Sequence, residues 1–562
     1  MATVHPRRSG AQVLIDQLRI HGTDTIFGVP GESYLAALDA LYAQRNSIRY
    51  VICRQEGGAA YMAEAYGKLT GKPGICFVTR GPGATNASVG VHTGFQDSTP
   101  MILLVGQVAR EQMEREAFQE IDYRRMYGQM AKWVTQIEDA RRIPEIVSQA
   151  FHRAVNGRPG PVVIALPEDM LTDEVEVADA GPYKVSRGAP APQDMATFRE
   201  LLAAAKRPLV VLGGGGWNAE ACADIKAFVE ANHLPVTTAF RNQDLLDNRH
   251  ANFVGDLGLG VNPPLGKRIK ESDLIVAIGP RLGEATTGGY TMFDLPVPSQ
   301  KMVHVHAGAE ELGRVYQATL PINSGMAQFA AAAKAMKPVD ASAWKAEVST
   351  ARTDYLKNIE PPAQPGSANL AEIVAWLNKR LPDDVIVTNG AGNYAGYVHR
   401  FFQYRGFRTQ LAPTNGSMGY GVPSAVAAKI AAPGRTVVSF SGDGCFLMNG
   451  QEFATAVQHG ANVVFIVVDN GTYGTIRMHQ EREYPTRVHG TELRNPDFAA
   501  YARAFGGHGE TVEKTADFEA AFERALAADR PAIVHVKTDV EAITSRITLT
   551  KLREQALAKQ KH

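Results

Sequence analysis

Short, continuous runs of apolar residues rich in Val and Ile recur along the chain, separated by stretches with helical periodicity. Runs of this kind are typical of buried parallel strands, because helices cover both faces of a parallel sheet. Strands that alternate with helices predict doubly wound α/β sheets. The runs that carry this prediction are 74–79, 101–106, 162–166, 209–213, 274–279, 302–306, 385–390, 436–442 and 463–470.

Two Pro/Gly-rich stretches, 179–193 and 358–369, interrupt the alternation and predict linkers between compact units. A chain of 562 residues is also long enough for several domains. We therefore predict an α/β protein with three doubly wound parallel-sheet domains, over residues 1–180, 190–345 and 365–562. Whether the first and third domains share a topology is left open by the sequence.

Composition narrows the class of protein. The formal net charge is zero, so no nucleic-acid or anionic-membrane partner is indicated. The four cysteines lack C-x-x-C spacing, which implies neither a zinc site nor a disulfide framework. No apolar run has the length of a membrane span, and the N-terminus does not read as a cleavable signal. We expect a cytoplasmic enzyme.

Polar residues follow two neighbouring strand runs near the end of the chain. The first run leads into Gly-Asp-Gly, centred on Asp443, and the second ends at Asn470. Taken alone, Gly-Asp-Gly is a turn motif. Because open α/β sheets bind ligands at the carboxyl ends of their strands, the pair predicts a ligand site. With the main-chain carbonyl of Thr472, these residues offer the hard oxygen ligands that Mg²⁺ prefers.

The segment 442–474 resembles the diphosphate-and-metal motif of thiamine-diphosphate enzymes, in which Gly-Asp-Gly is followed at a set distance by Asn. Residues 27–32, 54–74, 79–108 and 158–169 resemble the pyrimidine-binding domain of the same enzymes, so the resemblance spans almost the whole chain. The pattern is most similar to the acetolactate synthase (acetohydroxyacid synthase) large-subunit family. This resemblance implies pyrimidine-binding, central and diphosphate-binding domains in that order, with thiamine diphosphate and Mg²⁺ as cofactors.

Glu56 is the residue that the resemblance makes catalytic. A solitary Glu that opens a helix is ordinarily a surface carboxylate near the positive helix end. Here small residues at 57–60 follow it and permit the close approach of a flat ring. In the family, the matching Glu hydrogen-bonds a pyrimidine nitrogen of the cofactor and so promotes removal of the thiazolium proton.

The resemblance assigns further residues to the cofactor and to the substrate. Met418 would lie beneath the bent cofactor, although most methionines simply fill cores. The cofactor-binding residues are Glu56, Pro30, Gly31, Gly390, Ala391, Gly392, Asn393, Tyr394, Gly416, Met418, Gly442, Asp443, Gly444, Cys445, Asn470, Thr472, Tyr473 and Gly474, of which Asp443, Asn470 and Thr472 also bind the metal. The substrate-channel residues, which alternatively belong to solvated helix faces or to the core, are Phe118, Gln119, Lys132, Ile476 and His479.

The chain departs from the acetolactate-synthase pattern at several places, one of which is Gly31-Glu32-Ser33, where the family commonly has two glycines and a small residue. Asn393-Tyr394 stands where the family usually has Gln-His, and both replacements can still donate hydrogen bonds to phosphate. His479 replaces a Trp that helps to select the acceptor, which indicates a more polar pocket. In the central domain, 212–218 resembles a stretch that contacts FAD, but 304–308 lacks the acidic residue that would bind ribose hydroxyls. FAD, another nucleotide or an empty central domain therefore all stay open.

The expected reaction is decarboxylation of a pyruvate-like 2-oxo acid, with ligation of the two-carbon fragment to a second carbonyl compound. A 2-oxo acid decarboxylase or a 2-hydroxyacyl (aldehyde) lyase of the same fold is the alternative. A more remote alternative is a non-catalytic regulatory protein that binds the cofactor. The presence of Glu56, Asp443 and Asn470 argues against it. In the family, the pyrimidine domain of one chain pairs with the diphosphate domain of another. The resemblance therefore implies a homodimer at minimum, with a homotetramer common in the family, and small oxo-acid or aldehyde substrates as partners.

Overall fold

A computed structural model describes residues 5–560 of the chain. Its strands form three six-stranded sheets and one separate strand pair, and all neighbours within the six-stranded sheets are parallel. Every apolar run named above forms a strand, which confirms the predicted α/β fold with three doubly wound sheets. None of the helices in this part of the chain combines the length and apolar character needed to cross a membrane.

Among the described residues, the first of two compact units comprises 5–186 together with 426–431 and 451–459. Its strands are β1 (Arg7–Ser9), β2 (Thr25–Gly28), β3 (Arg49–Ile52), β4 (Gly74–Val78), β5 (Met101–Gln107), β6 (Trp133–Gln136), β7 (Pro161–Pro167) and β8 (Glu174–Glu176). The six-stranded sheet has the order β3-β2-β4-β5-β7-β6, and β1 pairs antiparallel with β8. The helices of its first 186 residues are α1 (Gly10–Ile20), α2 (Leu35–Ala43), α3 (Glu56–Thr70), α4 (Pro82–Asp97), α5 (Tyr123–Tyr127) and α6 (Ile143–Val155).

The second unit holds the other two sheets and begins at Arg187. Its first sheet contains β9 (Pro208–Leu212), β10 (Val236–Thr238), β11 (Phe253–Asp256), β12 (Leu274–Ile278), β13 (Lys301–His306) and β14 (Leu320–Asn323). The order β11-β10-β9-β12-β13-β14 is that of dinucleotide-binding folds. The accompanying helices are α7 (Pro192–Ala204), α8 (Ala219–Ala231), α9 (Pro263–Glu271), α10 (Met326–Ala335) and α11 (Lys345–Asn358).

The third sheet contains β15 (Ile386–Asn389), β16 (Gln410–Leu411), β17 (Val437–Gly442), β18 (Val464–Asp469), β19 (His508–Val512) and β20 (Ala532–Lys537), in the order β16-β15-β17-β18-β20-β19. Counted from the first strand of each sheet, the first and third sheets both read 2-1-3-4-6-5, so they share one topology. The remaining helices are α12 (Leu370–Arg380), α13 (Asn393–Phe401), α14 (Gly421–Ala431), α15 (Asp443–Leu447), α16 (Glu452–His459), α17 (Gly474–Glu483), α18 (Phe498–Ala504), α19 (Thr515–Ala527) and α20 (Leu549–Gln560).

The three sheets fall inside the three predicted domains, whose boundaries stay a prediction. The outermost residues of those domains, 1–4 and 561–562, lie outside the described residues. One face of each sheet packs into a cluster of apolar side chains, and the apolar residues of the inner strands that point to the other face are buried as well.

One buried carboxylate, Asp244, links the segment after β10 to the residues that lead into β16 within the second unit. Its Oδ2 accepts hydrogen bonds from the backbone N–H groups of Arg408 (2.9 Å), Thr409 (3.2 Å) and Gln410 (3.4 Å). Burial raises the pKa of the Asp244 carboxyl to about 6, against the opposite effect of these donors. The Asp244 carboxyl of the folded protein therefore titrates at about pH 6.

We expect the stability contributed by Asp244 to fall as the pH rises. Because its folded-state pKa of about 6 lies above the ordinary value of 3.8, the folded chain holds this proton more tightly than the unfolded chain. The contribution is complete below about pH 4 and is lost through about pH 6. Asp244→Asn does not titrate, so wild type should lose up to about 3 kcal/mol relative to it. Thermal unfolding of both proteins across this range tests the prediction; a constant gap would contradict it.

Candidate active site

Each six-stranded sheet has a point at which successive connections leave in opposite directions, and ligands of open α/β sheets bind at the strand carboxyl ends beside it. By strand order, this point lies between β2 and β4, between β9 and β12, and between β15 and β17. The predicted cofactor residues collect at the first and third of these places. Gly31 follows β2, the loop 390–394 follows β15, and Asp443 follows β17.

Glu56 is the first residue of α3, directly after the edge strand β3. The side chain of Gln55 caps the helix by accepting a hydrogen bond from the backbone N–H of Gly58 at 3.0 Å. The Glu56 carboxylate is half-buried, and its Oε2 accepts a hydrogen bond from the Asn86 amide at 2.9 Å. This leaves its Oε1 beside Gly83, within the loop and helix start that follow β4.

The small residues after Glu56 have a structural role that differs from the one expected. Gly57 and Ala60 lie against α4, where a side chain on Gly57 would meet the Asn86 carbonyl and Val89. A side chain on Gly58 would come within 2.6 Å of the Glu452 carboxylate. Their size therefore lets α3 pack closely against two other helices, and the approach of a flat ring stays a prediction.

Asp443 lies on the third sheet's side of the candidate site: it directly follows β17 and is the first residue of α15. It is buried, with 4% of its surface exposed. Its Oδ1 accepts a hydrogen bond from the Gly444 N–H at 2.9 Å, and its Oδ2 accepts from the Gly471 N–H at 3.0 Å and the Asn495 amide at 2.8 Å. Strand pairing of β17 with β18 brings the loop 469–474 beside it.

A second carboxylate, Asp469, shares donors with Asp443. The amide of Asn495 also donates to its Oδ1 at 2.8 Å, and His535 contacts its Oδ2 at 2.9 Å. Burial raises the pKa of the Asp443 carboxyl. Burial acts on Asp469 in the same sense, but hydrogen bonds from His535 and Asn495 outweigh it and lower its pKa. Two neighbouring acids in a buried place create a negative potential that a divalent cation would relieve.

Asn470 and Thr472 stand on the loop that follows β18. The side-chain oxygen of Asn470 accepts a hydrogen bond from the Thr472 N–H at 3.2 Å. Thr472 is buried, and its hydroxyl donates to the Thr491 carbonyl at 2.7 Å, which fixes its backbone. A side chain on Gly444 would come within 2.5 Å of the Tyr473 ring, so a larger residue there would have to displace this ring.

Two helix N-termini meet at the same edge of the third sheet. Asn393 is the first residue of α13 and Thr475 lies in the first turn of α17, and the Thr475 hydroxyl donates to the Asn393 side chain at 2.9 Å. Neither helix carries a side-chain cap at its start. Free N–H groups and the positive helix ends at such a place favour an anion such as a diphosphate.

Three other predicted cofactor residues of this edge, Tyr394, Cys445 and Met418, pack into it. The Tyr394 hydroxyl donates to the Cys445 thiol at 3.3 Å, and the Gly419 N–H also contacts this sulfur, at 3.2 Å. Burial raises the pKa of the Tyr394 hydroxyl well above its ordinary value. Met418 is partly buried against the core of the third sheet. Ala391, Gly392, Tyr473 and Gly474 are half-exposed, and Gly416 is exposed, as is Pro30 on the first sheet.

The predicted substrate residues have diverse surroundings. The backbone of Gln119 lies against Gly81, near the start of α4 and two residues before Gly83. Phe118 is 71% exposed. The Lys132 ammonium donates to the carbonyls of Arg153 (2.5 Å) and Asn156 (2.7 Å), which caps the end of α6. Lys132 thus has a defined helix-capping role, and its place in a substrate channel stays a prediction.

Two predicted substrate residues lie on α17. Ile476 is 53% exposed. His479 is half-buried, and its Nδ1 contacts the Arg482 guanidinium at 2.6 Å. Partial burial, together with the positive charge of Arg482, lowers the pKa of the His479 ring. The ring is therefore a neutral polar group at neutral pH.

Sequence reasoning missed three residues that organise these places. Asn495 joins Asp443 to Asp469. The Arg241 guanidinium donates to the Gly390 carbonyl at 3.0 Å and to the Pro413 carbonyl, and so holds two loops of the third sheet's edge. Glu452 accepts hydrogen bonds from the two residues that precede Glu56. No motif or spacing signals any of them, because each acts on residues far away in the sequence.

Comparison with known proteins agrees with the three-sheet fold. The chain matches the family models described as the thiamine pyrophosphate enzyme N-terminal TPP binding domain over residues 8–126, central domain over 195–333 and C-terminal TPP binding domain over 390–536.

Full-length relatives match as well. The acetolactate synthase isozyme 2 large subunit of Escherichia coli (strain K12) is 30% identical over 537 residues, which cover 94% of this chain and 96% of that protein. An acetolactate synthase of Arthrospira platensis is 32% identical over 552 residues, covering 94% of both chains. These matches, together with the three sheets and the strand-end placement of Glu56 and Asp443, show that the chain belongs to the acetolactate-synthase large-subunit-like family of thiamine-diphosphate enzymes and is a thiamine-diphosphate-dependent carboligase or decarboxylase.

Proposed function

We propose that the chain decarboxylates a pyruvate-like 2-oxo acid and joins the resulting two-carbon fragment to a second carbonyl compound, with Mg²⁺ as the metal that holds the diphosphate. The observation that carries this proposal is the placement of Asp443 and the 470–472 loop at the ends of adjacent strands. The buried Asp443 carboxylate, the Asn470 amide oxygen and the Thr472 carbonyl would supply hard-oxygen ligands there.

The residues at this edge fit the diphosphate and its metal. Asp443, Asn470 and the Thr472 carbonyl would bind Mg²⁺, and the uncapped starts of α13 and α17 would bind the phosphate oxygens. When bound, thiamine diphosphate accepts the electron pair released by decarboxylation. Glu56 would hold a proton at the cofactor's pyrimidine nitrogen, with Asn86 keeping its carboxylate in place.

The oligomeric state that we propose follows from the way in which the family builds its active site from two chains. Pairing of a pyrimidine domain with a partner's diphosphate domain makes a homodimer the smallest active form, and we propose a homotetramer in the cytoplasm. A same-fold decarboxylase or lyase is the second candidate, which the exchange of Trp for His479 favours.

The central domain provides weak support for bound FAD. Its glycine-rich turns after β9 and β12 pack against each other, since a side chain on Gly214 would collide with the Gly279 carbonyl. This contact accounts for Gly214 and Gly279 without a nucleotide. We therefore expect purified protein to lack the visible absorption bands of a flavin, and a stoichiometric flavin spectrum would contradict this expectation.

The function is tested by supplying pyruvate with thiamine diphosphate and Mg²⁺ and measuring both released CO₂ and the condensed product. A panel of 2-oxo acids and aldehydes as second substrates identifies the acceptor. CO₂ without any ligated product would favour the decarboxylase candidate. Absence of CO₂ from every 2-oxo acid in the panel would overturn the proposal.

His479→Trp should change the choice of acceptor. An indole presents apolar surface where a half-buried neutral imidazole now contacts Arg482, so larger apolar 2-oxo acids should be preferred as acceptors by about 10-fold more than in wild type. Product ratios from mixed acceptors measure this preference, and CO₂ release should change little. His489→Trp, at an exposed position, is the matched control. Equal ratios for all three proteins would remove His479 from the acceptor pocket.

A further inference from the structure

Helix α16 belongs to the first compact unit, although it follows β17 in the sequence. Its C-terminal residues contact the segment that leads from β3 into α3. The ring nitrogen Nε2 of His459 accepts a hydrogen bond from the Ile52 N–H at 3.2 Å. Gln458 accepts one from the Arg54 guanidinium at 2.6 Å. The chain immediately before Glu56 is therefore held from outside its own helix.

Glu452, the first residue of α16, makes the closest of these contacts to Glu56. Its Oε1 accepts hydrogen bonds from the backbone N–H groups of Arg54 (3.0 Å) and Gln55 (2.9 Å). The side chain is fully buried, and the Thr455 hydroxyl donates to its other oxygen at 2.6 Å. The carboxylate fits against α3 only because residue 58 is glycine.

We propose that Glu452 is a positioning residue for Glu56. By holding two successive N–H groups, it fixes the peptides immediately before Glu56 and hence the direction in which the Glu56 side chain leaves α3. Gln55 then caps the helix from a position that Glu452 has set. This inference rests on the proposed role of Glu56 in activating the cofactor.

Burial raises the pKa of the Glu452 carboxyl to about 7, although the hydrogen bonds that it accepts from Thr455 and from the Arg54 and Gln55 N–H groups favour its ionised form. A carboxylate at the start of a helix interacts favourably with the positive end of the helix and with N–H groups that have no partner inside the helix. Hydrogen bonds to an ionised acceptor are stronger than those to a neutral one. The position of the Arg54 and Gln55 backbone, however, depends on the oxygen that accepts their hydrogen bonds. A neutral side chain with the same oxygen should therefore largely preserve that position.

The test uses variants that separate the positioning of Glu56 by Glu452 from the general packing of α16 against the segment before α3. Glu452→Ala removes the acceptor, Glu452→Asp withdraws it by one methylene, and Glu452→Gln retains an oxygen that can accept from both N–H groups. His459→Ala is the matched control, because it removes another contact between the same helix and the same segment.

The decisive measurement is the rate at which the thiazolium proton of bound thiamine diphosphate exchanges with solvent, with Mg²⁺ present. We expect Glu452→Ala to slow exchange by about 100-fold, as a displacement of about 1 Å does. Glu452→Asp should slow it by about 10-fold, and Glu452→Gln should remain within about 5-fold of wild type, the cost of an ordinary hydrogen bond. Cofactor affinity, measured by calorimetry, should change much less than the exchange rate.

A second readout needs no cofactor. Backbone amide exchange over residues 53–60, followed by mass spectrometry, should accelerate in Glu452→Ala and much less in His459→Ala. If Glu452→Ala does not fold, the order of the Asp and Gln variants decides. Equal proton-exchange rates in these two, or an effect of His459→Ala as large as that of Glu452→Ala, would overturn the inference. Glu56→Gln separates the two proposals: wild-type exchange in that variant would refute the role of Glu56 itself.

Discussion

Replacing Glu56 with Gln should slow CO₂ release from a 2-oxo acid by about 10²- to 10⁴-fold, the usual contribution of a positioned acid–base group. The amide is nearly the same size and can still accept the hydrogen bond that Asn86 donates to the carboxylate. It cannot hold or release a proton at neutral pH. The loss should therefore appear in turnover at saturating thiamine diphosphate and Mg²⁺, with little change in cofactor affinity.

The control for Glu56→Gln is Glu145→Gln on α6. Glu145 is exposed and pairs with Arg142 on the surface, so its replacement should leave turnover unchanged. Steady-state CO₂ release and calorimetric cofactor binding are measured for both variants. Turnover of Glu56→Gln at the wild-type rate would remove Glu56 from the chemistry, whatever the rest of the fold implies.

The apolar runs of the sequence predicted three of the four inner strands of each sheet but none of the edge strands. Inner strands such as β5 and β17 are buried along their whole length, so they read as continuous apolar runs. Edge strands have one neighbour and partial exposure. β3 contains the exposed Arg49, β14 alternates between buried and exposed residues, and β16 is two residues long. Their pairing depends on tertiary contacts, which the local periodicity of the sequence does not indicate.

The candidate site likewise contains residues whose position the sequence predicted and residues that it did not reveal. Asp443 and Asn470 were predictable because each follows a strong strand run, and adjacent strands bring their carboxyl ends together. Asn495, Arg241 and Glu452 were not, because they act through hydrogen bonds to distant backbone or side-chain groups. Such partners are selected by three-dimensional proximity, and a single sequence contains no spacing that reports it.

Asp443→Asn should weaken Mg²⁺ binding by about 100-fold or more, since even partners that only support a ligand cost 10- to 100-fold when lost. The substitution removes the negative charge that a divalent cation balances. It also places an amide N–H₂ where the carboxylate now accepts hydrogen bonds from Gly444, Gly471 and Asn495. At least one of these donors then loses its acceptor, which should cost about 1–3 kcal/mol of stability.

The two effects of Asp443→Asn can be separated, because one depends on the metal and the other does not. Without Mg²⁺, the variant should unfold at a lower temperature than wild type. Adding Mg²⁺ and thiamine diphosphate should then stabilise wild type and Asp529→Asn, a control at an exposed position, but not Asp443→Asn. Removing the metal with a chelator should abolish this stabilisation of wild type, together with its CO₂ release. Equal stabilisation of all three proteins by Mg²⁺ and cofactor would place the metal elsewhere, since a ligand can stabilise a fold only through the residues that bind it.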